Sequence, residues 1–580
     1  MKGGITSGVV YPLAAAELAR EHHFRNIGGT SAGAIAAAAV AAAERGCRSG
    51  AKPDAYEDIA KLPAELGSDL LSLFQPSWRM RPFFDTILSA GGGKLFRIAA
   101  LFNGFPLAAL AGMLPGVGLV VLALTLQGDD GLRYAAVGGG ALLAPLGAIL
   151  AIAASAILRL RGLPKSYYGI CLGNDRGENA ERPPLTRWLA DLLNRLAGKD
   201  AEDPLTFGDL WELDGPDDGE PGVVLQMITT CLTQGRPYSL PFEDDEELWF
   251  CEDEFRDLFP KEVVDHMVEK ARGAAIGPGG AALLRLPEAE DMPVVVAARM
   301  SLSFPLLIAA VPLYARNAHE DAGDAPERCW FSDGGISSNM PIHFFDSPVP
   351  RWPTYAINLE SLPPGMESST TESDNVWLPE SNGDGVAEAW IGAEDRPGVF
   401  RTFRFFATIF RTAQNWVDNR QMKGVGNRDR IAHIRLSKGE GGMNLSMDAE
   451  RIERLGKRGA HAAVRLSERF DPALAEETEL NWDNQRWLRF RAYLEMLERR
   501  GEKAVRGYNA MGGGTPMREL NRRGPGEPPK FAWADRGQRR FALRASKKLL
   551  AGFKAWEQNA QAFEDGAPGP RSEPWLIPRI

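Results

Sequence analysis

Gly29-Thr30-Ser31-Ala32-Gly33 follows the short apolar pair Ile27-Gly28 and runs straight into an alanine-rich stretch, residues 34–43. Strand, sharp turn and helix in that order hold a serine at a helix N-terminus with its hydroxyl exposed, and the flanking glycines clear the space a side chain would fill. Ser31 is therefore the candidate nucleophile. A five-residue pattern recurs by chance, so two other segments carry its weight: Lys2-Gly3-Gly4-Ile5-Thr6-Ser7-Gly8 upstream and Asp333-Gly334-Gly335 far downstream.

A serine hydroxyl is a poor nucleophile until a base takes its proton, and acyl transfer also needs donors aimed at the developing oxyanion. The small residues from Gly3 to Gly8 let backbone amides approach a substrate oxygen, and the loop runs into Val9-Val10-Tyr11-Pro12 as the start of a helix or strand. A plain glycine turn or a phosphate cradle are the alternatives. A Walker-type loop would close on Gly-Lys-Ser/Thr, which is absent. In Trp330-Phe331-Ser332-Asp333-Gly334-Gly335-Ile336 a carboxylate ends an apolar segment just before a glycine pair. Alone, Asp-Gly is often only a turn. In combination, Asp333 is the candidate base.

The chain has 580 residues, enough for more than one domain. Its 66 basic and 76 acidic residues leave a net charge of −10, which gives no electrostatic case for nucleic acid. Five scattered cysteines (Cys47, Cys171, Cys231, Cys251, Cys329) lack the paired spacing of a zinc site or a secreted disulfide framework, so reduced thiols are expected. No metal is expected. The first residues carry no signal-peptide pattern.

Residues 98–126 and 134–158 contain no charge, and each exceeds the roughly 20 residues needed to cross a hydrocarbon core. Between them lies a polar turn, residues 127–133. Lys94 and Arg97 flank one side and Arg159, Arg161 and Lys165 the other, so the positive-inside rule puts both outer flanks in the cytoplasm. A pair of buried core helices is the alternative, Pro106, Pro115 and Gly138-Gly139-Gly140 count against uniform helices, and a re-entrant hairpin within one leaflet is a variant. An inserted hairpin would fix the site close to a bilayer surface.

Residues 185–196 show helical apolar spacing, while 223–232, 292–297 and 355–359 read as strands. Alternating elements of this kind predict an α/β sandwich with a mainly parallel sheet. Residues 360–385 and 512–529 read as loops; 449–470 and 482–500 read as helices. The second helix carries Arg486, Arg489, Arg491, Arg499 and Arg500, and residues 536–548 form another basic cluster. Either cluster could meet anionic headgroups, or be an ordinary solvated face.

With these three ordered motifs the chain resembles the patatin-like phospholipases, lipid acyl hydrolases with a Ser–Asp dyad. The resemblance spans residues 1–358 apart from the hairpin, and includes Met300-Ser301-Leu302-Ser303-Phe304-Pro305, similar to the family's helix with small residues and a proline. It implies a three-layer sandwich with the apolar hairpin inserted and a helical C-terminal region. The division expected is 1–93 and 166–360 for the two parts of the catalytic domain, 94–165 for the hairpin, 361–470 for an accessory segment packed on it, and 471–580 for the C-terminal extension.

The resemblance assigns Ser31 and Asp333 as the dyad, the amides of Gly3 and Gly4 as the oxyanion hole, and Gly8, Gly29, Gly33, Gly334 and Gly335 as supports of the motifs. It implies no cofactor and a phospholipid or lysophospholipid substrate; the hairpin with its flanking charges, and the composition, point to a bacterial inner-membrane protein with a cytoplasmic catalytic body. Two departures stand out: Ile5 where the family has a third glycine, and Ser7 where it often has arginine. The chain also opens on the motif itself, so the strand leading into this loop is missing or shortened and the loop is expected to fray. A Ser–His–Asp site using His343 is the rival within hydrolases. A membrane-anchored scaffold without turnover is the rival outside them.

Overall fold

The computed structural model describes residues 1–4, 6–88, 102–125, 130–174, 182–213, 221–243, 246–317, 325–363, 365–386, 399–442, 444–476, 478–510, 515–523, 533–558, 563 and 565–569. Ile5, Lys94, Arg97, residues 127–129 of the polar turn and half of the expected 512–529 loop lie outside them, and the other half holds a short helix, Met517–Leu520.

The strands in chain order are β1 (Asn26–Gly29), β2 (Gly169–Cys171), β3 (Val224–Cys231), β4 (Arg236–Leu240), β5 (Leu248–Phe250), β6 (Ala274–Ile276), β7 (Ala282–Arg285), β8 (Leu306–Ile308), β9 (Val311–Ala315), β10 (Glu327–Asp333), β11 (Ala356–Ser361), β12 (Val376–Trp377) and β13 (Ile431–Leu436). The main helices are α1 (Tyr11–Leu18), α2 (Ala32–Ser49), α3 (Ala55–Asp69), α4 (Pro106–Thr125), α5 (Asp130–Leu160), α6 (Leu185–Ala197), α7 (Val294–Ser301), α8 (Val399–Met422), α9 (Ala449–Phe470), α10 (Trp482–Asn509) and α11 (Arg536–Glu557).

The α/β class, the apolar hairpin and the helical C-terminal region are all present; the expected mainly parallel sheet is instead mixed. β1 pairs parallel with β3, whereas β10–β3, β10–β9, β9–β5, β5–β7, β7–β6 and β3–β4 are antiparallel. Short connections between β3 and β4 and between β6 and β7 permit only antiparallel return, and the long excursion from β1 to β3 permits the parallel pair. Two smaller sheets, β11–β13–β12 and β2–β8, complete the set.

Residues 292–297 are not a strand. Pro293 holds an extended conformation and α7 begins at the next residue, every position of it buried. A continuous apolar run without alternation fits a buried helix as well as a strand, and helix formation after proline decides it here.

Buried side chains of α2, α6, α7 and the central strands form the largest apolar cluster, which takes in Leu225, Met227 and Cys231 of β3, and every β3 residue from Met227 to Cys231 is buried. A second cluster joins α1 to α9, β11 and β13, so these three elements pack against the start of the chain.

The hairpin helices run unbroken through Pro115 and Pro145. They meet along a seam of small residues: a Cβ on Gly112 would lie 2.2 Å from the Gly147 carbonyl oxygen, and one on Gly116 2.3 Å from the Ala144 nitrogen. Only glycine permits that approach. Only 17% and 11% of their most apolar windows are covered by protein, so the reading as core helices is set aside. Both are long and apolar enough to cross a membrane.

Candidate functional site

β3 brings the two distant motifs together. Its Val224 and Leu232 amides donate to the carbonyls of Arg25 and Trp330, and residues of like parity along a strand point their amides the same way. β1 and β10 therefore lie along the same edge of β3 and run toward each other. Gly29 ends β1 opposite Met227, and Asp333 ends β10 opposite Thr229. Two residues of strand, roughly 7 Å, separate those ends.

Ser31 sits in the gap. Its backbone is at φ 55°, ψ −132°, a conformation a residue with a side chain adopts only under constraint, and it lies directly before α2. Crowding supplies the constraint: a Cβ on Gly29 would lie 2.1 Å from the Gly33 carbonyl oxygen, and one on Gly33 2.5 Å from that of Met1. The Ser31 amide donates to Ser301 Oγ at 3.3 Å.

Asp333 is 3% exposed. Its Oδ1 accepts the Gly335 amide at 2.7 Å, and its own amide donates to the Ser303 carbonyl at 3.0 Å. Burial raises the carboxyl to about 7, opposed by the Ser31 hydroxyl and the Gly335 amide, which favour the ionised form. Oδ2 is buried without a hydrogen bond of full geometry among the described residues. Gly334 is forced by the Ile228 carbonyl oxygen, 2.0 Å from where a Cβ would stand, and Gly335 by Asn339 Oδ1 and Asp333 Oδ1, each 2.8 Å away.

The first loop lies against the same centre. A Cβ on Gly3 would be 2.7 Å from Ser31 Cβ, and one on Gly8 3.3 Å from Ala32 Cβ. The loop is pinned, not frayed: Lys2 Nζ donates to Asn358 Oδ1 at 2.7 Å and to the Leu359 carbonyl at 3.0 Å, and the Tyr11 hydroxyl donates to the Lys2 carbonyl at 2.5 Å. The Gly3 amide is engaged with the Asn339 carbonyl at 3.1 Å. The Gly4 amide makes no hydrogen bond among the described residues.

Sequence reasoning missed the residues that hold these parts in place. Thr30 Oγ1 and the Gly3 amide both donate to the Asn339 carbonyl, while Asn339 Nδ2 donates back to the Gly3 carbonyl. Asp418 on α8 accepts from Ser338 Oγ at 2.9 Å and from the Asn339 and Met340 amides at 2.6 and 3.0 Å. Gln414, one turn earlier, donates to the Gly335 carbonyl at 2.5 Å. No local pattern marks a carboxylate about 80 residues past the motif it supports. Arg299 had a signal: one guanidinium inside the apolar α7. It is fully buried, donating to Ser303 Oγ at 2.7 Å and the Leu172 carbonyl at 2.9 Å, and burial lowers it to about 9.

His343 packs edge-on against Phe344, with Gln421 as its polar neighbour and Asp418 and Asp346 nearby. Its ring nitrogens make no hydrogen bond of full geometry, and burial lowers its pKa. Arg489 of the basic cluster is buried, binding the Gly426 and Ser347 carbonyls and Asp346, so it is structural. All five cysteines are free thiols. Among the described residues no group of three or more His, Cys, Asp or Glu is arranged to hold a metal.

An apolar cavity of about 90 Å³ is lined in part by Gly8, Leu302 and Ala32, the residue that follows Ser31. It continues between α2, α3 and α6 past Ile35, Leu62 and Leu192.

An α/β protein with a mixed sheet, an inserted apolar hairpin and a helical C-terminal region is the class this fold defines. The patatin-like phospholipase model matches residues 120–346, a span that holds Asp333 and 300–305 but not Ser31. A protein of Rhizobium meliloti (strain 1021) named RpoH suppressor is 38% identical over 651 positions, covering 100% of this chain and 98% of the relative. The chain belongs to the patatin-like phospholipase family.

Proposed function

We propose that the protein is a lipid acyl ester hydrolase of phospholipase A or lysophospholipase type, working through a Ser31–Asp333 dyad at a membrane surface. The observation that carries this is the meeting of the β1 and β10 ends on one edge of β3, with an apolar cavity lined in part by the residue after the serine. Asp333 takes the proton from Ser31, and Ser31 attacks the ester carbonyl. The Gly4 amide, joined by the Gly3 amide once it leaves Asn339, stabilises the oxyanion, and the positive end of α2 adds to the same field. The alcohol or lysolipid leaves, and water releases the fatty acid from the acyl-serine. The cavity's lining is apolar and carries no charged side chain, which suits an acyl chain better than a polar group. The exposed apolar hairpin supports membrane attachment, with the body on the cytoplasmic side of a bacterial inner membrane by its flanking charges.

The test is fluorophosphonate labelling mapped by peptide mass, together with fatty-acid release from mixed phospholipid vesicles. Labelling at Ser31 and release lost in Ser31→Ala are expected; a folded chain that neither labels nor releases fatty acid sinks the proposal. That outcome would favour the scaffold reading, which the engagement of the Gly3 amide by Asn339 supports. His343→Ala separates dyad from triad. Its neighbours favour a dyad, so most of the rate is expected to remain.

A further inference from the structure

Helix α8 carries an apolar stripe that the rest of the protein leaves exposed. At 100° per residue, positions 405, 409 and 416 form one stripe, and positions 414 and 418 lie on the opposite side. The outward stripe is apolar: Phe405, Ile409 and Trp416 are 56%, 49% and 49% exposed, with neighbouring Phe406 at 55%. The opposite side grips the site, through Gln414 on the Gly335 carbonyl and Asp418 on residues 338–340. A helix serving only the protein's own fold would bury the aromatics and expose the amide and the carboxylate.

The charge on this segment names what covers it. Along the whole helix the charged residues are Arg401, Arg404, Arg411 and Arg420 against one acid, the inward Asp418, in a chain of net charge −10, and Arg420 falls beside the outward stripe. Aromatic and aliphatic side chains interspersed with arginines suit the boundary between anionic headgroups and acyl chains, where the rings are half wet and the guanidinium groups meet phosphate.

We propose that the outer face of α8 is a docking surface for an anionic lipid bilayer, and that docking steadies the Asp333 loop through Gln414 and Asp418. The coupling half rests on the esterase reading above; the docking half does not. No covalent change is involved. Lipid contact fixes the helix, the helix fixes residues 335–340, and Asn339 in turn holds the Gly3 amide and Thr30 beside Ser31.

Docking is tested with the full chain in phosphatidylethanolamine–phosphatidylglycerol vesicles, carrying Cys47→Ser, Cys251→Ser and a spin label on Ile409→Cys. Collisions with lipid-dissolved oxygen that exceed those with a water-soluble nickel chelate are expected. A label that meets the chelate more often overturns the proposal, as does spin–spin broadening that shows a second copy covering the face. Coupling is read from Phe405→Ser combined with Ile409→Ser. The rate on those vesicles relative to the rate on a water-soluble short-chain ester is expected to fall about tenfold. An unchanged ratio overturns coupling. Should the unaltered chain hydrolyse neither substrate, the esterase reading and with it the coupling fall, while the spin-label result still decides docking.

Discussion

Helix α2 and the hairpin α4–α5 are built from the same small apolar residues and meet opposite surroundings. In α2, twelve of eighteen residues are buried, and alanines such as Ala37, Ala38 and Ala41 are fully enclosed by neighbouring elements. In the hairpin only the Gly112–Gly147 and Gly116–Ala144 seam is closed, and Leu107, Leu110 and Leu114 stand 81%, 62% and 67% exposed. Apolar composition thus states that a helix avoids water without stating what replaces it. The difference lies in side-chain volume outside the seam. α2 is small on every side so that protein can close around it, whereas the hairpin is small on one side and leucine-rich on the other.

The comparison is broken hardest at the N-terminus of α2. Ser31→Ala should cut ester hydrolysis by at least roughly 10³-fold with the far-ultraviolet circular dichroism unchanged, because the loss is chemical and not structural. Asp333→Asn should lose a similar factor, and the wild-type rate should rise with pH through about 7 as the carboxylate ionises. Its stability effect has the opposite sense. A carboxyl raised from 3.8 to about 7 by burial makes ionisation costly in the folded state, so wild-type stability falls as pH climbs from about 4 through 7. The amide variant should therefore gain up to about 4 kcal/mol over wild type at pH 8 and nothing at pH 3, read from urea unfolding at both.

Smaller effects sharpen the contrast between the two helical regions. Ala41→Leu overfills an enclosed site and should cost roughly 1–3 kcal/mol or more, seen as a lower melting temperature. Gly116→Leu should part the hairpin seam, detected as lost cross-linking between cysteines on α4 and α5, with the soluble-ester rate within a factor of about two. Leu114→Ala on the exposed face should change the melting temperature in detergent least, within about 0.5 kcal/mol.

What could be read from the residues depended on range. Ser31, the strands at 223–232 and 355–359 and the helices at 185–196 and 449–470 are local statements of period and punctuation, and β3, β11, α6 and α9 fall there. α10 continues to Asn509, past the expected Arg500 and through Gly501 and Gly507, because no proline intervenes and a basic run can be solvated in a helix. The strand expected at 292–297 failed because burial on all sides erases period. Sheet direction failed because it depends on which strand finds which partner, and that pairing spans more than 100 residues between Thr229 and Asp333. Asn339 and Asp418 were illegible for the same reason: their role is a set of hydrogen bonds to backbone atoms, which carry no residue identity.

The chain leaves this edge after β1, returns as β3 itself and comes back a second time as β10, so the register of β1 and β10 is set by β3 and not by the lengths of the segments between. The apolar hairpin α4–α5 lies in the first of these excursions, so changes to it are expected to leave that register as it is. The machinery is written into strand register, and its delivery can evolve separately.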